Sequence, residues 1–169
     1  IDKKQKSIFS DNKTIHYVVD LNNKKKLTNI LNKIKPECII HLAGQSTIDM
    51  VKRKNLYYKN NILATKNLLS VIQNLKIPNI IFSSTAAVYK EKNVKINEKS
   101  KIYSNNMYGK SKIKCEIMIK KINPKVTKFC ILRFFNVCSS LVKNKIGEFH
   151  SPETHLLPIV INSIYLKKK

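Results

Sequence analysis

Arginine is almost missing from this chain. Of its 33 basic residues only Arg53 and Arg133 carry a guanidinium; the rest are lysines, set against 10 acidic residues for a formal net charge of +23. A surface that reads bases or clamps phosphates usually relies on the bidentate arginine fork, so the charge alone does not argue for nucleic acid, and no specific nucleic-acid partner is expected. Glycine is also scarce, at three residues, and tryptophan is absent. Lysine spread through every segment, beside many asparagines and isoleucines, is what an AT-biased coding sequence produces. The charge therefore reads as a solvated surface. A polyanion-binding protein stays open as a reading of a different class.

Long apolar runs are lacking too. Nothing approaches the ~18 to 20 residues of a membrane span, and no signal-peptide pattern opens the chain, so no membrane partner is expected. Cys38, Cys115, Cys130 and Cys138 form no Cys-x-x-Cys pair and have no histidine at ligand spacing, which leaves no expected metal site. Cys38 and Cys130 fall in apolar strand-like runs, where cysteine behaves as a small buried hydrophobe. Free thiols without a signal peptide suggest a reducing cytoplasm. What is present, 43% hydrophobic residues in a chain of 169, suffices for one modest domain with a core. The chain starts at Ile1 rather than Met, inside what reads as folded sequence, so truncation is expected.

Short β-like runs alternate with longer helical ones. His16 to Val19 reads as a strand, followed by Asp20 and a helix over about 24–34 that Pro36 breaks. Cys38 to His41 is the next strand. A helix covers roughly 57–73, with Ile62, Leu68, Leu69 and Ile72 near a 3.6-residue period. After Pro78 comes a strand over Asn79 to Ser83, then a polar loop over about 90–105. A helix over about 107–122 stops near Pro124, Phe129 to Arg133 is a fourth strand, a loop follows over 139–153, and an apolar helix runs over about 156–165. Strands that are nearly continuous apolar runs point to a parallel α/β sheet with helices on both faces. Right-handed crossovers make that a doubly wound, Rossmann-type sheet, whose ligands gather at the carboxyl ends of the strands.

The residues that follow those strands carry chemistry. Tyr108-Gly109-Lys110-Ser111-Lys112 is a Tyr-x-x-x-Lys on a predicted helix, so one turn separates the two side chains and both lie on one face. A free tyrosine, with pKa about 10, is a poor base at neutral pH, and a nearby ammonium lowers that value toward usefulness. Ser83-Ser84-Thr85 ends a strand about 20 residues earlier, where small hydroxyls can bond a substrate oxygen beside the phenol. Either element alone is weak; together they are specific.

With these segments in hand, the chain resembles the UDP-glucose 4-epimerases of the NAD-dependent epimerase/dehydratase family, a branch of the extended short-chain dehydrogenase/reductases. His41-Leu42-Ala43-Gly44, Tyr57-Tyr58-Lys59-Asn60-Asn61, Ser83 to Tyr89, Tyr108 to Lys112, Arg133-Phe134-Phe135-Asn136, and Ile146-Gly147-Glu148 through Pro152 to Pro158 match the family's segments in order. The resemblance implies catalysis by Tyr108, Lys112 and Thr85, with NAD as cofactor. Tyr108 takes the sugar 4-hydroxyl proton, Thr85 bonds the reacting oxygen, and Lys112 holds the nicotinamide ribose and depresses the Tyr108 pKa.

It further implies that Asp2, Asp20, Leu21, Leu42, Ala43, Gly44, Asn61 and Phe135 contact the cofactor, and that Asn136, His155 and Leu156 meet the UDP portion of a UDP-sugar substrate. Residues 1–150 become a partial NAD-binding Rossmann domain that lacks the first strands, 151–169 the start of the nucleotide-sugar region, and the whole protein a homodimer. No Gly-x-x-Gly-x-x-Gly is present, so residues 1–169 alone are expected to bind NAD poorly and to be inactive. Ser46, Lys90, Phe134 and Cys138-Ser139 depart from the family pattern. Ala86-Ala87 stand where related 4,6-dehydratases carry Asp-Glu, which disfavours dehydration. Another nucleotide-sugar epimerase of the same family, or an inactive remnant, remains open.

Overall fold

The first described helix shows how local chemistry fixes the frame. Asn23 caps α1 (Lys24–Ile34), its side chain accepting from the Lys26 amide, and Leu27 and Leu31, one turn apart, turn into the core. The helix ends on Lys35 in the left-handed region (φ 49°), whose amide donates to the Leu31 carbonyl, and Pro36 prevents continuation. Lys76, just past the helix that precedes β2, repeats the device at φ 54°. Both are positions that glycine normally takes.

The computed structural model describes residues 1–2, 14–45, 54–90, 95–137 and 156–166. They fall into two units, Ile1–Arg133 and Phe134–Lys169.

In the first unit, β1 (Cys38–His41) follows α1. A helical run comes next: α2 (Lys54–Tyr57), a π-helical turn (Tyr58–Leu63) and α3 (Ala64–Asn74). Then come β2 (Asn79–Thr85), a 3-10 turn (Ala86–Val88), α4 (Met107–Lys120) and β3 (Lys128–Phe134), whose last residue lies past the unit boundary. The three strands form a parallel sheet in the order β1-β2-β3. β1 pairs with β2 from Cys38 opposite Asn79 to His41 opposite Phe82. Helical crossovers join β1 to β2 and β2 to β3, the α/β arrangement expected from the apolar runs.

The core lies between the sheet and its helices. Leu27, Leu31, Leu68, Leu69, Val71, Ile72, Ile80, Phe82, Cys115 and Ile119 form its centre. β2 is the middle strand, and its residues Ile80, Phe82 and Ser84 alternate into that core. The outer strands differ: Ile40 on β1 is 62% exposed, and Phe129, Leu132 and Phe134 on β3 are open as well. Cys38 and Cys130, expected to be buried, are exposed on those same two strands, and among the described residues the buried thiol is Cys115. A central strand has neighbours on both edges, whereas the described elements leave much of β1 and β3 uncovered.

Other boundaries moved in instructive ways. His16 to Val19 contributes one parallel bridge, Val18 to Asp2, rather than a full strand. The helix expected from residue 57 begins at Lys54 and contains the π turn, which periodicity does not reveal. The loop after residue 90 is pinned at its base by an antiparallel bridge, Tyr89 to Ile102.

The described part of the second unit holds Phe135 to Val137 and the apolar helix α5 (Leu156–Tyr165), none of whose side chains is buried.

Candidate active site

β2 ends on Thr85, an extended residue whose hydroxyl oxygen accepts from the Ala87 amide and so caps the 3-10 turn. α4 arrives above that turn. Asn106 caps α4 by accepting from the Gly109 amide at 2.7 Å, and the helix can come this close because residue 109 lacks a side chain. A Cβ at Gly109 would overlap the Ser104 hydroxyl and the Ala87 carbonyl oxygen. The first turns of α4 are thereby fixed directly over the end of β2.

This packing brings Tyr108 to Thr85. The phenol is half-buried, and burial pushes its pKa above the ordinary value; a hydrogen bond with the Thr85 side chain pulls it back, and the neighbouring Tyr57 phenol adds to the rise. The two tyrosine rings stand 6.4 Å apart, centre to centre.

Lys112, one turn on, is buried, and its pKa is lowered by that burial against the opposing pull of Cys115 and Glu116. Its ammonium donates to the Ser83 carbonyl at 2.7 Å and lies 4.7 Å from the Phe82 ring centre. The expectation that Lys112 depresses the Tyr108 pKa is not met in this geometry. The ammonium is 5.9 Å from the centre of the phenol ring and turned to a carbonyl, so desolvation prevails.

Asn61 sits in the π turn, where an extra residue per turn re-aims a side chain. Its amide oxygen accepts from the Gln45 amide at 2.7 Å, and its nitrogen donates to the Ser111 hydroxyl at 2.8 Å and to the Gln45 carbonyl at 3.2 Å. Ser111 in turn donates to the Tyr108 carbonyl. Asn61 thus ties the turn after β1 to the helix that bears Tyr108.

That turn is open. Leu42 is 68% exposed, and Ala43 and Gly44 are exposed beside it. A Cβ on Gly44 would stand 3.1 Å from the Asn61 amide oxygen and 3.7 Å from the Lys112 ammonium. An accessible backbone next to a cation is a fitting seat for an anionic ligand. Behind it His41 is buried, its Nε2 2.9 Å from the Thr65 hydroxyl, and burial, aided by the charge of Lys112, lowers its pKa to about 4.

The other expected residues belong to other elements. Asp2 makes the parallel bridge to Val18. Asp20 accepts from the Asn22 backbone and side-chain amides, an Asx turn leading into α1. The Leu21 carbonyl accepts from Asn67. Phe135, Asn136 and Leu156 belong to the second unit and are exposed there. His155 lies outside the described residues. Among those residues no group of three or more His, Cys, Asp or Glu could hold a metal, and no helix is long and apolar enough to cross a membrane.

Sequence reading missed Ser111, Tyr57 and Glu116 as parts of this site, and it read Ser84 as a substrate-facing hydroxyl where the structure bonds it to Glu116. Glu116 had a signal: it is four residues beyond Lys112 and eight beyond Tyr108, on the same helix face.

The family model for the NAD dependent epimerase/dehydratase family matches residues 2–169. A UDP-glucose 4-epimerase of Rhizobium meliloti is 34% identical over 147 residues, which are 85% of this chain and 45% of that protein. Among solved structures, the UDP-glucose 4-epimerase of Brucella ovis in complex with NAD superposes with a TM-score of 0.81 at 28% identity, covering 89% of this chain and 47% of that one. The UDP-Glc/GlcNAc 4-epimerase of Campylobacter jejuni gives 0.71 at 28% identity, covering 90% and 47%. The chain spans about half the length of the curated relatives it matches. In sequence and in fold, the chain belongs to the NAD dependent epimerase/dehydratase family.

Proposed function

We propose that the whole protein is a UDP-glucose 4-epimerase, interconverting UDP-glucose and UDP-galactose through a 4-keto sugar. The observation that carries this reading is the meeting of Tyr108 and Thr85 at the end of β2, with Lys112 one turn away. NAD supplies the hydride acceptor and donor at sugar C4. Leu42, Ala43, Gly44, Asn61 and Lys112 would seat it beside the open turn after β1, with Asp2, Asp20 and Leu21 toward the adenine and Phe135 toward the nicotinamide.

Tyr108 removes the 4-hydroxyl proton and later returns it, and Thr85 holds the same oxygen. Burial keeps the resting phenol protonated, so base strength must come from positive charge brought in with the ligands. Asn136, His155 and Leu156 would meet the uridine diphosphate. Residues 1–150 then serve the cofactor, and 151–169 open the nucleotide-sugar region of a cytoplasmic homodimer. The alanines after Thr85 support epimerisation over dehydration, since no carboxyl stands there to eliminate water.

The test is isotopic. With UDP-glucose deuterated at C4, the whole protein is expected to yield UDP-galactose that retains the label; loss of label to solvent would contradict hydride transfer. Residues 1–169 alone are expected to show no turnover. The Campylobacter jejuni relative, named for both UDP-Glc and UDP-GlcNAc, supports a second reading in which N-acetylated sugars are also accepted, and a comparison of kcat/KM for UDP-glucose and UDP-N-acetylglucosamine separates the two.

A further inference from the structure

One buried charge in the first unit has no part in that reaction. Glu116, on α4, is 2% exposed. Its Oε1 accepts from the Ser84 hydroxyl at 2.6 Å and from Arg133 Nε at 3.0 Å, and its Oε2 accepts from Arg133 Nη2 at 2.7 Å. The remaining nitrogen of Arg133 donates to the Tyr89 hydroxyl at 2.8 Å and to the Glu98 carbonyl at 3.5 Å, and the guanidinium lies 5.0 Å from the centre of the Tyr89 ring.

These partners bracket the reacting turn. Ser84 immediately precedes Thr85, and Tyr89 closes the 3-10 turn after it, its amide donating to the Ala86 carbonyl. Tyr108, Lys112 and Glu116 recur every four residues and share one face of α4. A single carboxylate therefore links the helix that bears Tyr108 to the strand end that bears Thr85 and to β3.

Holding these layers together does not require charge. Well-packed apolar side chains of similar volume commonly replace a buried ion pair without loss of stability. What they lack is direction: hydrogen bonds from a planar fork fix both the rotation and the slide of a helix against a strand. Lysine, a point charge on a flexible stem, has no rigid planar fork to match the two oxygens of a carboxylate. Arg133 is one of only two arginines in a chain that otherwise uses lysine for positive charge.

We propose that Glu116 and Arg133, with Ser84, are positioning residues that set the Tyr108 phenol against Thr85. The role rests on the reading of Tyr108 and Thr85 as the reacting pair. It differs from a structural role in what its loss does: the protein stays folded and binds substrate, but the proton-transfer geometry slackens.

The experiment uses the whole protein, with the double variant Glu116→Leu/Arg133→Leu and the single variant Ser84→Ala, each measured for Tm, KM for UDP-galactose and kcat. The double variant is expected to keep its Tm and KM while kcat falls by about a hundredfold, the scale of an ångström-sized misplacement. Ser84→Ala, which leaves the ion pair intact, is expected to lose about tenfold in kcat at unchanged KM. An unchanged kcat in a folded double variant would overturn the role. Should the double variant not fold, Ser84→Ala decides alone: an unchanged kcat overturns the role, and a fall in kcat at constant KM and Tm supports it. Wild-type protein without turnover of UDP-galactose would instead refute the functional reading, and this role with it.

Discussion

Two turns, each following a parallel strand, face the same side of the sheet and are built in opposite ways. The turn after β1, Leu42 to Gly44, is open, and its glycine has room for a Cβ at ordinary or slightly tight contact. The turn after β2, Thr85 to Val88, lies under α4. Ser84 and Val88 are buried on either side of it, and Gly109 is pressed onto the Ala87 carbonyl, where no Cβ fits. One turn offers backbone to a ligand, and the other fixes side chains to one another. On the proposed reading, a site that seats a cofactor and also aligns a proton transfer needs both kinds of surface, one at each strand end.

Breaking the packed turn at its ion pair should have the largest effect on stability. Arg133→Met leaves the Glu116 carboxylate buried without its partner, and a loss of about 3–5 kcal/mol is expected in denaturant unfolding. The pair also sets an acid limit. Burial raises the Glu116 pKa, but Arg133 and Ser84 outweigh it and the net shift is downward. The pair's contribution is therefore complete above the ordinary carboxylate range and is lost as pH falls through the lowered folded value.

His41, behind the open turn, acts in a different window. Its folded pKa, about 4, is below the ordinary 6.5, so the unfolded chain binds the proton first, and stability is lost as pH falls from about 6.5 toward 4. The full effect is on the order of 3 kcal/mol. Thermal unfolding between pH 7 and 4.5 should show this slope in the native protein, and His41→Gln should flatten it.

The two glycines sharpen the contrast directly. Gly109→Ala forces α4 off the Ala87 carbonyl and should cost about 1–3 kcal/mol, with turnover falling as Tyr108 leaves Thr85. Gly44→Ala should change stability by less than about 1 kcal/mol, because the neighbouring Asn61 and Lys112 side chains need to give only slightly. Its expected effect is weaker NAD binding by the whole protein, measured by calorimetry.

How much of this was legible in the sequence follows the range of the forces involved. α1 was readable from its helical stretch and Pro36, and β2 from its apolar run, because local pattern and proline act within a few residues. The Tyr108–Lys112 pair was readable because four residues make one helical turn. The π turn was not, since it depends on Asn61 finding Gln45 and Ser111, the latter fifty residues away. The exposure of Cys38 and Cys130 depends on which strand lies in the middle of the sheet, which no local pattern encodes. The Glu116–Arg133 pair joins a helix to a strand across seventeen residues. Its sequence-level traces are a glutamate on the helix face of Tyr108 and Lys112 and an arginine where lysine prevails.

Scarce glycine also explains an expected effect of the opposite sign. Lys35 and Lys76 hold left-handed helix ends at φ 49° and 54°, which strains a residue with a Cβ. Lys35→Gly and Lys76→Gly should each stabilise the fold by about 1 kcal/mol, visible as a raised denaturation midpoint and far from both turns.

The central claim is that the packed turn places a working proton-transfer group, and one comparison tests it most directly: steady-state conversion of UDP-galactose to UDP-glucose by the whole protein and its Tyr108→Phe variant, at matched NAD occupancy and matched Tm. The account predicts turnover by the native protein and a fall in kcat of about 10²- to 10⁴-fold in the variant, the usual contribution of a positioned acid–base group. A Tyr108→Phe protein with native kcat would contradict it.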